Sequence, residues 1–209
     1  MHEASAALDR ALAELGRPLP GDAAAKLLAY LELLSKWNRI HNLTAIRDPD
    51  RMISHHVLDS LVVGPHLPPG PLADVGSGAG LPGIPLAIAE PARPITLNDA
   101  NGKKAAFLRQ AIIELKLANA DVHQGRVESW RPAKAFACVI ARGYADLGRL
   151  IAHCRHLVRP DGVIAAMKGT LPRDELANLP AGVDCSDVRR LKVPTLNAER
   201  HLILCRCAA

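Results

Sequence analysis

The sequence predicts an α/β fold, a mostly parallel sheet with helices on both faces, reached through an N-terminal helical extension. Three observations carry this reading. The stretch Leu72–Pro85, LADVGSGAGLPGIP, reads as a short strand, a glycine turn and a helix start. Beyond it, short apolar runs alternate with helical stripes, the pattern of repeated strand–helix units. Ahead of Leu72, only helical periodicity is present.

The elements follow in order. Glu3–Leu15 is a helical pattern stopped by Gly16, Pro18 and Pro20. Asp22–His41 is a longer helix with Leu27, Leu31, Leu34 and Trp37 on one face. Asn42–Arg47 is a loop. Asp48-Pro49-Asp50 then sets a capping acid before a proline at the first helical position, opening a third helix that runs to about Gly64. The chain thus divides at residues 66 and 67 into a helical extension (1–66) and a core (67–209). After the strand at Leu72 come a helix at Pro82–Ala89, a strand at Ile95–Asn98 and a helix from Asn101 with Ala105, Leu108, Ile112 and Leu115 on one stripe. Strands near Asp121–Gln124 and Phe136–Ala141, a helix over Asp146–Leu157 and a strand at Val163–Met167 continue the alternation. A short helix near Arg173–Asn178 and strands near Val188–Val193 and His201–Cys207 complete a seven-stranded sheet.

Length and composition bound what this fold does. At 209 residues the chain fills one core. Aromatics are only 3%, so that core must be Ala, Leu, Ile and Val. Lys plus Arg exceed Asp plus Glu by 26 − 21 = +5, which permits a polyanionic partner without demanding one. No apolar run is long enough to span a membrane, and acids near the start argue against an export signal. The cysteines Cys138, Cys154, Cys185, Cys205 and Cys207 form no C-x-x-C pair and read as reduced thiols in a cytoplasmic protein.

The glycine turn places a ligand at the carboxyl end of the first strand, beside the switch point of the sheet. Gly78, Gly80 and Gly83 satisfy G-x-G-x-x-G, a weak dinucleotide signal. Asp74 weighs against it, because an acid there meets a cationic ligand and repels a pyrophosphate. The order Asp74-x-Gly76-x-Gly78 instead resembles motif I of class I S-adenosylmethionine (SAM) methyltransferases. Asp99, at the end of the second strand, then accepts from ribose hydroxyls; taken alone it reads equally well as a turn residue.

The chain as a whole resembles the RsmG family, also called glucose-inhibited division protein B. The matching stretches are Lys36-Trp37-Asn38, Asn42-Leu43-Thr44, Arg47-Asp48-Pro49, and His56 with Leu58-Asp59-Ser60. They continue through Asp74–Pro85, Gly102-Lys103-Lys104, Phe107-Leu108-Arg109, Arg126-Val127-Glu128, Arg142, Lys168-Gly169 and Glu199-Arg200-His201-Leu202. Departures are Lys104 where arginine is common, Ser77 for Thr, Ala79 for Pro, and Ala141 where Ser is frequent. The resemblance implies a class I SAM-dependent methyltransferase fold and SAM-dependent methylation of N7 of a guanine in 16S ribosomal RNA. It implies SAM contacts at Gly76, Leu81, Val127, Glu128 and Arg142, joining Asp74, Gly78, Gly80 and Asp99 from the residue-level reading. It also reverses the weighting of Arg142, which by itself reads as structural, toward an orienting residue that points into the cofactor cleft.

This chemistry needs no acid or base. N7 of guanine carries an in-plane lone pair and no proton, so the enzyme supplies placement and exclusion of water. Cys138, mid-strand among apolar neighbours, reads as core and not as a nucleophile. The histidines form no spaced metal-ligand set. Candidates for RNA contact are His56, Lys103, Lys104, Arg126, Lys168, Arg200 and His201, with Arg142 beside them and Tyr144 available for stacking. His56 reads equally well as a structural histidine. The partner is 16S rRNA or a small-subunit ribonucleoprotein particle, with a monomeric protein expected. Two rival readings remain at this level: a small NAD(P)-dependent reductase, which leaves Asp74 unexplained, and an RNA-binding scaffold without activity.

Overall fold

The computed structural model describes residues 2–16 and 18–208. Seven strands lie in the order β3-β2-β1-β4-β5-β7-β6. They are β1 (Leu72–Val75), β2 (Ile95–Asp99), β3 (Ala120–Gln124), β4 (Phe136–Arg142), β5 (Val158–Lys168), β6 (Val183–Leu191) and β7 (Arg200–Cys207). The first five pair in parallel, and β7 runs antiparallel to both β5 and β6. The chain order reverses between β1 and β4, which sets the switch point there.

The two-residue period of each strand sorts its side chains between two buried clusters. Leu72, Cys138, Ile140, Val163 and Ala165 join one cluster with the N-terminal helices, α5 (Gly83–Ala89) and α6 (Gly102–Glu114). Ala73, Val75, Val139, Ala141 and Ile164 join the other, with Leu147, Leu150 and Ile151 of α7 (Leu147–Cys154). Asp74 and Arg142 follow the same alternation and fall on the N-terminal face.

The N-terminal helices α1 (His2–Leu15) and α2 (Ala23–His41) are laid against that face. Leu27 and Leu34 share one buried cluster with Ile84, Leu86, Leu97 and Leu108, so the core runs without a break across residues 66 and 67. The Tyr30 hydroxyl, fully buried, donates to Ala79 O at 2.7 Å, and Trp37 meets Phe107 edge-on at 5.6 Å. Each large side chain buried here stabilises by about 1.5–3 kcal/mol.

The third helix differs from expectation. Asp48 caps it through the Arg51 N–H, but the run changes pitch: α3 (Pro49–Met52), a π-helical turn (Ile53–Leu58), α4 (Asp59–Leu61) and a 3₁₀ turn at Gly64–His66. Residue types do not distinguish i→i+5 from i→i+4 bonding, so the apolar stripe alone reads as one helix. Asn101 caps α6 through the N–H groups of Lys103 and Lys104. Asp146 caps α7, which ends at Cys154 before a 3₁₀ turn.

The last hairpin also departs from expectation. β6 begins at Val183, not near Val188, and its register shifts between Asp184 and Asp187. That irregularity sets Cys185 beside Cys205, Cα atoms 4.1 Å apart, and the two are joined in a disulfide. The reading of all five cysteines as reduced is therefore corrected, and cysteine state no longer speaks for a compartment. Cys138, Cys154 and Cys207 are free thiols. Among the described residues no helix is long and apolar enough to cross a membrane.

Candidate functional site

The glycine turn leaves β1 with positive φ at Gly76 (65°), Gly78 (59°) and Gly80 (85°), conformations that side chains resist. Two devices hold it. Ser77 N donates to Asn98 O at 2.9 Å, and Gly78 N donates to Asp99 Oδ2 at 3.0 Å. Asp99 Oδ1 accepts from Asn101 N at 2.8 Å, so this carboxylate pins the turn, the end of β2 and the start of α6 together. A Cβ on Gly78 would meet nothing nearer than 3.8 Å, which leaves that side open to a ligand. A Cβ on Gly76 would lie 2.7 Å from the Tyr144 ring, which rests on this glycine. Leu81 is buried behind the turn.

Asp74 does something other than expected. Its side chain is fully buried on the N-terminal face, and Oδ2 accepts the Gly83 N–H at 2.9 Å at the start of α5. It supports the turn from behind and does not meet a cationic ligand. Oδ1 has no hydrogen-bond partner, and burial pushes the carboxyl up to about 7. A Cβ on Gly83 would collide with Leu97 and Asp74, so glycine is required by packing there.

Past β3, Asn98 Nδ2 donates to His123 O and Gly125 O, fixing the chain that leads into a 3₁₀ turn at Val127–Ser129. Val127 is buried and Glu128 exposed, at the same strand-end edge as Asp99. Glu128 lies 3.5 Å from His153, whose Nδ1 also meets the Tyr144 hydroxyl at 2.9 Å.

Arg142 does not reach the glycine-turn cleft with its side chain. Its Nη1 donates to His55 O at 2.8 Å and to Asp59 Oδ2 at 3.0 Å. The alternation that puts Ile140 on the N-terminal face puts Arg142 there too. Arg200 Nε donates to the other Asp59 oxygen at 2.7 Å, so one buried carboxylate holds two arginines. Sequence reading did not assign Asp59 a role; an acid inside an apolar helical stripe was the available signal.

The expected RNA-contacting residues separate into two groups. Lys103, at the start of α6, and Arg126 are exposed, while Lys104 is half-buried. Lys168 is engaged: Nζ donates to Ala145 O and to both oxygens of Glu175, at 2.8 Å for the nearer. His201 Nδ1 meets Gly169 O at 2.7 Å. His56 is 3% exposed, with Nε2 against Thr44 Oγ1 at 3.0 Å. Burial, with the Arg142 charge, pushes it down to about 4, so it is neutral at ordinary pH. Lys168, Arg200, His56 and His201 thus brace structure, and all four line, with Arg142, a cavity at the ends of β4 and β5.

Comparisons with known proteins identify the family and the fold. The family model for rRNA small subunit methyltransferase G matches residues 23–203. A ribosomal RNA small subunit methyltransferase G of Aromatoleum aromaticum is 51% identical over 205 residues, covering 96% of this chain and 97% of that protein. One of Methylobacillus flagellatus is 48% identical over 196 residues, covering 94% and 95%. Among solved structures, the glycopeptide N-methyltransferase MtfA aligns at TM-score 0.57 with 14% identity, over 73% of this chain and 95% of that one. The DhpI–SAH complex aligns at TM-score 0.53 with 17% identity, over 90% and 98%. At such identities the structures show the fold alone, which is that of SAM-dependent methyltransferases.

Proposed function

The chain belongs to the rRNA small subunit methyltransferase G family, and on that footing we propose that it methylates N7 of a guanine in 16S ribosomal RNA. It does so as a monomer in the cytoplasm, on rRNA or on a small-subunit ribonucleoprotein particle. The observation that carries the cofactor side is the junction of Gly78 N with Asp99 Oδ2, beside an open glycine turn. Asp99 keeps lone pairs for ribose hydroxyls after accepting two backbone N–H groups. The edges at Gly76, Gly78, Val127 and Glu128 would hold the rest of the cofactor. SAM, when bound, supplies an electrophilic methyl group on a sulfonium.

The protein's own work is then placement. The end of β4, Ala141-Arg142-Gly143-Tyr144, offers no base at ordinary pH: Arg142 stays charged beside Asp59, and burial pushes the Tyr144 hydroxyl up to about 12. Cys138 is fully buried and its thiol is pushed up to about 12 by burial, which excludes a thiolate nucleophile. Guanine N7 attacks with its own lone pair, so no proton leaves it. Lys103, Lys104 and Arg126 take the phosphates on the cofactor side of the switch point. The family assignment sets aside the reductase reading.

A pH series of the single-turnover rate at saturating SAM and RNA tests this. The account expects a flat profile from about pH 6 to pH 8.5. A break near the ordinary histidine value, about 6.5, with RNA binding unchanged, would mean base-assisted chemistry at another atom.

A further inference from the structure

Three of the stretches quoted for the resemblance take no part in the cofactor edge: Lys36-Trp37-Asn38, Asn42-Leu43-Thr44 and Arg47-Asp48-Pro49. They meet at the end of α2, around a cavity of about 230 Å³ lined by Ser35, Asn38, Arg39, Ile46, Arg47 and Met52. Resting on the function proposed above, we infer that this cavity binds one backbone phosphate of the substrate RNA, on the strand that leads to the methylated guanine.

Local structure builds the site. Ser35, Asn38 and Arg39 fall three and four residues apart on α2 and share one face. Asn42, at φ 49°, ends the helix and turns the chain back. Asn38 Oδ1 then accepts the Thr44 N–H at 2.9 Å. Thr44 Oγ1 accepts the Ile46 N–H at 3.1 Å and meets His56 Nε2 at 3.0 Å. The loop is thereby laid on that face, and Arg47 comes to the same cavity as Arg39. The backbone of the site is set before a ligand arrives.

The lining is that of an anion site. Among the described residues neither Arg39 nor Arg47 has an ion pair, and the one contact of Arg47, to Asn42 Oδ1, is long at 3.5 Å. Asp48, the acid next to Arg47, is turned to the Arg51 N–H. Asn38 is only 4% exposed, and with Oδ1 given to Thr44 its Nδ2 is left without a hydrogen-bond partner among the described residues. A buried donor in that state is costly unless a ligand completes it. Two forked guanidiniums and an amide N–H suit the oxygens of a phosphate. The carbonyl end of α2 favours a cation and by itself accounts for Arg39; it accounts for neither Arg47 nor the unpaired amide.

Position ties the site to the substrate. Ile46 lines both this cavity and the one at the ends of β4 and β5. A strand leaving the carboxyl edge of the sheet there crosses one side chain to reach the two arginines. Lys103, Lys104 and Arg126 lie on the cofactor side, so the RNA is held on both sides of the methylated nucleotide.

The test compares the parent with the double variant Arg39→Gln/Arg47→Gln of the full chain; both side chains are exposed, so the fold is kept. The salt dependence of binding to small-subunit RNA should become shallower by about one unit of slope. SAM affinity and the methyl-transfer rate at saturating RNA should stay at the parent's level, since this contact holds substrate and transition state alike. The same RNA, ethylated at random on its phosphates, locates the contact. One ethylated phosphate close to the methylated guanine should be excluded from complexes of the parent and admitted by the variant. An unchanged salt slope, or the same exclusion pattern for both proteins, overturns the proposal. So does competition by inorganic phosphate that the variant loses while its exclusion pattern stays the parent's, because the cavity would then take free phosphate and not RNA. A parent protein that fails to methylate small-subunit RNA is a separate result, seen before any variant, and it overturns the function reading.

Discussion

Asp99 accepts the Gly78 backbone N–H at 3.0 Å across the gap between β2 and the glycine turn. That one bond makes the cofactor edge a single rigid piece, since the same carboxylate also fixes Asn101 at the start of α6. Replacing Asp99 with Ala removes the acceptor offered to the ribose and frees the turn. SAM affinity should fall by about 1–3 kcal/mol, read by isothermal titration. Unchanged affinity would place the cofactor elsewhere.

The basic residues should divide in the same way as their partners do. Lys103→Ala should lower the salt dependence of RNA binding by about one unit of slope, the effect of one lost phosphate contact. Lys168→Ala should leave that slope unchanged, because its ammonium is spent on Glu175 and Ala145 O. Filter binding across a salt series separates the two, and equal slopes for both variants would contradict the assignment.

Two buried groups give opposite pH signatures in folding stability. The Asp74 carboxyl is raised from 3.8 to about 7 by burial, so the folded state holds a proton that the unfolded chain releases, and stability falls as pH rises through that window. The His56 imidazole is lowered from 6.5 to about 4, so the unfolded chain holds the extra proton, and stability falls as pH drops from 6.5 toward 4. Denaturant unfolding of Asp74→Asn should show the decline toward pH 7 removed and the His56 limb exposed, with the variant at least as stable as the parent above pH 7. A variant that keeps the parent's decline would show Asp74 ionised in the fold.

Cys138→Ala should keep the full methyl-transfer rate and lose about 1 kcal/mol of stability from trimming a fully buried side chain. A rate loss beyond what unfolding explains would return Cys138 to the chemistry.

Much of the fold was legible because its signals are local. The glycine turn, the cap Asp48, the helix starts at Asn101 and Asp146, and the alternation of strand and helix are each written within a few residues. Side-chain direction was legible only in principle. The period of two sends Asp74 and Arg142 to the N-terminal face, away from the cleft their positions suggested, and that face is defined only once α1 and α2 have packed. The Asp59–Arg200 pair spans 141 residues and has no local trace. The π-helical turn and the Cys185–Cys205 bond likewise depend on neighbours brought in by the sheet.

The most direct measurement is the identity of the methylated atom. Small-subunit RNA from a strain lacking this gene is incubated with the protein and SAM, digested to nucleosides, and analysed by mass and retention. The account predicts one new product, 7-methylguanosine, formed more slowly by Asp99→Ala at limiting SAM. Methyl transfer to an exocyclic amine, to a pyrimidine carbon, or to no RNA atom at all would contradict it.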